Sequence, residues 1–258
     1  EPVLVLHGGH SNSYEEFGYG SLIKNDFMII TPSRAGYGKT SKEIGESLSI
    51  SCKYYVKLLN HLGIEKVHLI GISAGGPSGL YLASYYPERV KTLTLQSAVT
   101  KEWHTPTDKI YKLAQVLFHP RLEKMTWKLT STMTNCFPKF MFWQMAPSFS
   151  KLPNKQINEQ IVNGDIEEIR KMNNRQRSGY GFLIDLLQTK EITSEDLKNI
   201  ICPTLIMHSK FDSAVSLEHP HYAHQQIPHS ELCILESWGH LIWLGQGAKT
   251  VERKLIDF

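Results

Sequence analysis

Residues 67–75 read Val67-His68-Leu69-Ile70-Gly71-Ile72-Ser73-Ala74-Gly75 and lead into a segment of helical spacing at 76–86. The apolar run has the length of a buried strand, the glycines mark a sharp turn, and the helix follows at once. A Gly-x-Ser-x-Gly match alone says little, since composition produces one in about one chain in ten of this length. The strand–turn–helix setting gives it weight. Such a turn forces the serine into a strained backbone conformation, and side chains two residues to either side would collide with the neighbouring strand and helix. The helix start also leaves backbone N–H groups without acceptors, and that of Ala74 is placed to donate to a developing oxyanion. Ser73 is the candidate nucleophile.

The same rhythm extends to both sides. Short apolar runs at 3–6, 27–30, 92–95, 204–207 and 232–235 alternate with helical segments near 13–24, 47–62, 216–227 and 241–256. Tyr54, Tyr55, Leu58, Leu59 and Leu62 recur at helical spacing, and Gly63 is the expected stop. Apolar runs separated by helices predict an α/β fold, a mostly parallel sheet with helices on both faces. Between Lys101 and Leu197 the rhythm fails. Amphipathic stretches at 110–118 and 157–172 and an aromatic, Met-rich piece at 137–145 stand there, punctuated by Pro106, Pro120, Pro138, Pro147 and Pro153. Alternation resumes at Pro203. Both flanks are needed to complete one sheet, so we expect a core of residues 1–100 and 198–258 with an all-helical insertion at 101–197.

A serine hydroxyl needs a base to become a nucleophile, and the base needs an acid to orient it. In chains with this turn the acid and then the histidine follow downstream, each after a late strand. The run 204–207 is followed by His208-Ser209-Lys210-Phe211-Asp212, and 232–235 by Glu236-Ser237-Trp238-Gly239-His240. Asp212 and His240 therefore fall on the rim that carries Ser73, where ligands bind in open α/β sheets. Glu102 is the nearest rival acid.

Composition narrows the remaining classes. The 258 residues are 41% apolar and 21% charged, enough for a real core. Twenty-eight basic against 25 acidic residues leave a dispersed net charge of +3, which does not make a nucleic-acid footprint. No apolar run approaches a membrane span. Cys52, Cys136, Cys202 and Cys233 show neither paired nor metal-ligand spacing, so buried free thiols and a cytoplasmic setting are expected. His219, His221 and His224 fall in or near a surface helix with no carboxylate or cysteine at matching spacing, and no metal is expected. No dinucleotide or P-loop motif occurs, so no cofactor is expected. The chain begins at Glu1-Pro2 and enters an apolar run at once, as if inside a folded domain.

Taken together, Leu6-His7-Gly8-Gly9, Ser33-Arg34-Ala35-Gly36-Tyr37-Gly38, the Ser73 turn and the Asp212 and His240 loops resemble the α/β-hydrolase superfamily. The resemblance implies an oxyanion hole shared between the Ala74 N–H and the loop after the first strand, with Gly9 as donor and His10 its alternative. It also implies that 101–197 is a helical cap and that two strands usual before the His-Gly strand are missing here. The acid loop departs from the usual pattern in carrying Ser209 after His208. The implied reaction is hydrolysis of a small apolar ester or related acyl compound. Carbon–carbon bond hydrolysis, thioester cleavage, perhydrolysis and ligand sensing with negligible turnover use the same residues. Trp127, Phe140, Phe142 and Trp143 read as packing of the insertion rather than a cofactor box, and Trp127, Phe140 and Trp143 are the candidates to line a pocket. A small-molecule substrate is the only partner the sequence implies, and oligomeric state is not legible in it.

Overall fold

Six apolar runs become six strands, the inner four largely buried on both faces and the two at the edges only partly covered. In the computed structural model, which describes residues 1–16, 18–105 and 107–258, these are β1 (Pro2–Leu6), β2 (Met28–Ile30), β3 (Val67–Ile72), β4 (Val90–Gln96), β5 (Thr204–Ser209) and β6 (Ser230–Leu235). Phe17, inside the helix expected near 13–24, and Pro106 lie outside the described residues. All neighbouring strands are parallel, in the order β2-β1-β3-β4-β5-β6. Alternation along each strand sends side chains to opposite faces. Leu4, Leu6, Leu69, Leu93, Leu95 and Ile206 form one cluster, and Val3, Val5, Ile70, Ile72, Leu205 and Met207 the other.

The helices follow the expected rhythm with three differences. The chain carries α1 (Gly20–Lys24), α2 (Leu48–His61) and α3 (Gly76–Tyr85) before β4. Gly63 has φ +68, the left-handed position that ends α2. The segment expected near 13–24 is helical only over α1. Upstream, Asn12 folds the chain locally by accepting the Tyr14 N–H at 2.9 Å.

Between β4 and β5 come α4 (Lys109–Leu117), α5 (Glu123–Cys136), α6 (Pro138–Phe149), α7 (Asn154–Gln160), α8 (Asp165–Arg175), α9 (Gly181–Gln188) and α10 (Ser194–Lys198). The stretch at 157–172 is broken in two at Gly164, φ +107. After β5 lie α11 (Glu218–Gln226) and α12 (Ala248–Asp257). The helix expected over 241–256 starts only at Ala248, because Leu241 and Leu244 instead pack with Phe142, Ile157 and Ile169 of the inserted helices. Ile192 and Leu197 already belong to the sheet's own core. No described helix is long and apolar enough to cross a membrane.

The strand order reverses direction beside β1, so the crevice outside the carboxyl ends of β1 and β3 is where a ligand is expected. Both Gly8-Gly9 and Ser73 sit there.

Candidate active site

The turn after β3 is as tight as its glycines suggest. Ser73 has φ +48, in the left-handed region that costs a non-glycine residue strain. A Cβ on Gly75 would lie 2.2 Å from the Leu6 carbonyl oxygen, and one on Gly71 would lie 3.3 Å from the Gly76 Cα. Gly76, outside the motif, is more confined still, with a Cβ position 2.1 Å from the Val99 oxygen.

The structure brings Ser73, His240 and Asp212 together. His240 Nε2 lies 2.9 Å from Ser73 Oγ, and His240 Nδ1 lies 2.7 Å from Asp212 Oδ2. A carboxylate only accepts, so the ring proton sits on Nδ1 and leaves Nε2 free to accept from the serine hydroxyl. The other Asp212 oxygen accepts the N–H groups of Ala214 at 2.8 Å and Val215 at 2.9 Å. Burial works to raise the pKa of Asp212, but the attraction and hydrogen bond of His240 and the neighbouring His208 ring outweigh it. The carboxyl is held below its usual range. Glu102 is exposed.

His240 is gripped through its backbone as well. Its N–H donates to the Phe149 carbonyl at 2.8 Å, and its carbonyl accepts from Ser97 Oγ at 2.8 Å. Ser150 bridges to Asp212 from the same end of α6. Gly239 makes room for this, since a Cβ there would meet the Phe149 oxygen at 2.4 Å.

The loop after β1 lies alongside. A Cβ built on Gly9 would stand 3.8 Å from that of Ala74, and one on Gly8 would stand 3.3 Å from that of Ser73. The His10 N–H donates to the Tyr37 hydroxyl at 3.3 Å, whereas the Gly9 N–H meets no acceptor among the described residues. Arg34 fixes this loop. Its backbone N–H donates to His7 Nε2 at 2.9 Å and its Nε to the His7 carbonyl at 2.6 Å. Its guanidinium forms a buried bidentate pair with Asp185 of α9, which also accepts from the Tyr37 hydroxyl at 2.6 Å.

Ser73 and His240 open into a cavity of about 360 Å³. Trp127 lines it. Phe140 and Trp143 do not. Phe142 and Ala146 set the buried stripe of α6, so Phe140 points away with 54% exposure and Trp143 packs edge-on against Phe142. The apolar wall comes instead from Trp103, Phe118, Met145, Phe149, Met172 and Phe182. Sequence reading missed Trp103, Met145, Phe149, Met172 and Phe182, along with Asp185 and Gly239. A charged Arg34 inside an otherwise apolar core segment was the signal for a buried acidic partner.

Of the remaining candidates, His219 is a buried structural residue whose Nδ1 accepts the Thr100 N–H at 3.0 Å. His224 bonds Ser230 at the surface. All four cysteines are free. Cys52 and Cys202 are buried as expected and Cys233 half-buried, but Cys136 is exposed, because it ends α5 on the side away from its buried stripe.

The family model for the alpha/beta hydrolase fold matches residues 1–245. An uncharacterized hydrolase of Bacillus subtilis (strain 168), YcgS, is 60% identical over 257 residues, spanning 100% of this chain and 90% of the relative. A 2-hydroxy-6-oxononadienedioate/2-hydroxy-6-oxononatrienedioate hydrolase of Comamonas testosteroni is 24% identical and spans 100% of this chain and 87% of its own. Among solved structures, an alpha/beta hydrolase fold protein from Nakamurella multipartita superposes with a TM-score of 0.85 at 25% identity, over 99% of this chain and 91% of that one. A match running from β1 to just short of α12, joined to a relative sharing three residues in five, makes this chain a member of the alpha/beta hydrolase fold family.

Proposed function

We propose that this hydrolase cleaves a small, apolar carboxylic ester or related acyl compound through an acyl-enzyme. Ser73 is the nucleophile, His240 its base and Asp212 the acid that orients the base. The observation that carries this reading is an unbroken hydrogen-bonded relay, Ser73 to His240 to Asp212, opening into an apolar cavity. His240 takes the Ser73 proton as Oγ attacks the carbonyl carbon. The amides of Gly9 and Ala74 receive the oxyanion. The intermediate collapses with the proton passed from His240 to the leaving alcohol, and water repeats the sequence to release the acid.

Residues 101–197 act as a cap that supplies the specificity wall, and exclusion of water beneath it favours compact acyl groups over aggregated lipid. The Comamonas testosteroni hydrolase is named for a dicarboxylate. The residues lining this cavity include no lysine or arginine, which favours an uncharged ester here.

A fluorophosphonate probe should label Ser73 rapidly in the native protein. Ser73→Ala should lose labelling and several orders of magnitude of ester turnover while its thermal melt is retained. Substantial turnover by the folded variant would remove the nucleophile assignment.

A further inference from the structure

Besides Ser73 and His240, the polar side chains on the mostly apolar cavity wall are Ser11, Glu15, Ser148, His10 and Gln176, and the last two share one edge. We propose that these two side chains form a subsite for an uncharged oxygen function, a carbonyl or hydroxyl, that the substrate carries in addition to the bond that is cleaved. The inference deepens the ester-hydrolase reading above and rests on it.

The hydrogen bonds around His10 fix which ring nitrogen carries its proton. Ser178 Oγ lies 2.7 Å from Trp127 Nε1 and 2.8 Å from His10 Nδ1. An indole N–H can only donate, so Ser178 accepts from Trp127 and has one proton of its own to give. Ser178 is fully buried and no other acceptor among the described residues takes that proton, so it goes to His10 Nδ1. The His10 proton therefore sits on Nε2, which has no protein acceptor among the described residues. The ring cannot turn away to find one. It is stacked between Phe118 and Phe182, with centroids at 4.1 and 4.0 Å. Ser178 is fixed in turn by Glu123 of α5, which accepts its N–H at 3.1 Å and holds Arg177 at 2.8 Å.

Gln176 stands beside this arrangement. The Arg177 N–H donates to the His10 carbonyl at 2.8 Å, so the two segments share one edge of the cavity. Gln176 is only 9% exposed, and its carboxamide oxygen has no partner in the protein. A buried polar group left unpaired is costly, and a ligand that pairs with it recovers that cost. A neutral oxygen answers both groups: a carbonyl accepts from His10 Nε2–H and from the carboxamide nitrogen, and a hydroxyl accepts from His10 Nε2–H while donating to the carboxamide oxygen.

An anionic group fits poorly. The nearest charge on the lining is the Glu15 carboxylate, already paired with Arg175 at 3.0 Å. His10 supplies no cation, because burial pushes its imidazole down to about 3.

The test compares kcat/KM for three 4-nitrophenyl esters of one length, the pentanoate, the 4-oxopentanoate and the hemisuccinate. A second pair, pentyl and 4-oxopentyl acetate, puts the oxygen on the alcohol side. We expect one oxo ester to exceed its alkyl partner at least tenfold and the hemisuccinate to trail the pentanoate by a similar factor. Gln176→Leu and His10→Asn should each bring the oxo-to-alkyl ratio toward one. Asparagine suits the φ of +61 at position 10, and Gln176→Leu remains informative should the other variant misfold. Equilibrium binding of the same esters to Ser73→Ala protein should repeat the ranking without turnover. A wild type that cleaves no ester undermines the hydrolase reading itself. An active wild type with equal rates in both pairs, a ratio untouched by Gln176→Leu, or a hemisuccinate rate matching the pentanoate overturns the subsite.

Discussion

Three donors converge on the two oxygens of Asp212, His240 Nδ1 and the N–H groups of Ala214 and Val215, while His208 Nε2 lies 3.2 Å away and gives its proton to the Val215 carbonyl at 2.9 Å. In the proposed reaction this ionised carboxylate would hold the imidazole in one tautomer and stabilise the imidazolium that forms. Asp212→Asn would offer His240 a donor where it needs an acceptor and turn the base toward the wrong tautomer. We expect kcat to fall by about 10⁴ with little change in KM. Glu102→Gln, at an exposed site, should be silent, and the reverse pattern in a steady-state assay would refute Asp212 as the acid. The juxtaposition of these three residues is legible in sequence because each lies at or within a few residues of the carboxyl end of a strand. The pocket wall is not, because Phe140 and Trp143 differ from Phe142 only in helical phase, and phase is set by packing partners distant in the chain.

At the scale of elements, the inner strands were readable because runs buried on both faces need no amphipathic signal. The helix break at Asn163-Gly164 went unread within the amphipathic stretch at 157–172, although a turn dipeptide marks it. What could not be read was the contact between the end of α6 and the loop that carries His240. Phe149 offers its carbonyl to the His240 N–H, and only a glycine at 239 lets it approach. Gly239→Ala would push a methyl group to within 2.4 Å of that oxygen and shift the base. Misplacement of about 1 Å costs on the order of 10²-fold in rate. We therefore expect slow fluorophosphonate labelling of Gly239→Ala, with the fold intact by circular dichroism. Labelling at the native rate would show the contact to be ornamental.

For the whole molecule, three buried histidines link the fold to pH. His7 accepts the Arg34 N–H, His10 accepts from Ser178, and His219 accepts the Thr100 N–H. Each ring nitrogen would lose its donor if protonated. Burial depresses all three, His10 to about 3, His219 to about 4 and His7 well below the ordinary range. The unfolded chain binds protons on these rings that the folded chain refuses. Stability should be level above the ordinary imidazole range and fall as pH drops from about 6.5 toward 4, by about 1.4 kcal/mol per pH unit for each ring. Asp212, depressed as well, extends the loss to lower pH. Urea melts between pH 8 and 4.5 would read this, and a flat profile would contradict it. The seam between α6 and the catalytic loops has a further consequence for engineering. Because Phe149 and Ser150 hold His240 and Asp212 in place, the inserted helices and the proposed chemical centre are not separate modules. A chimaera that imports another relative's insertion to change specificity would inherit a disarmed core, unless the graft junctions leave those two residues and Gly239 in register.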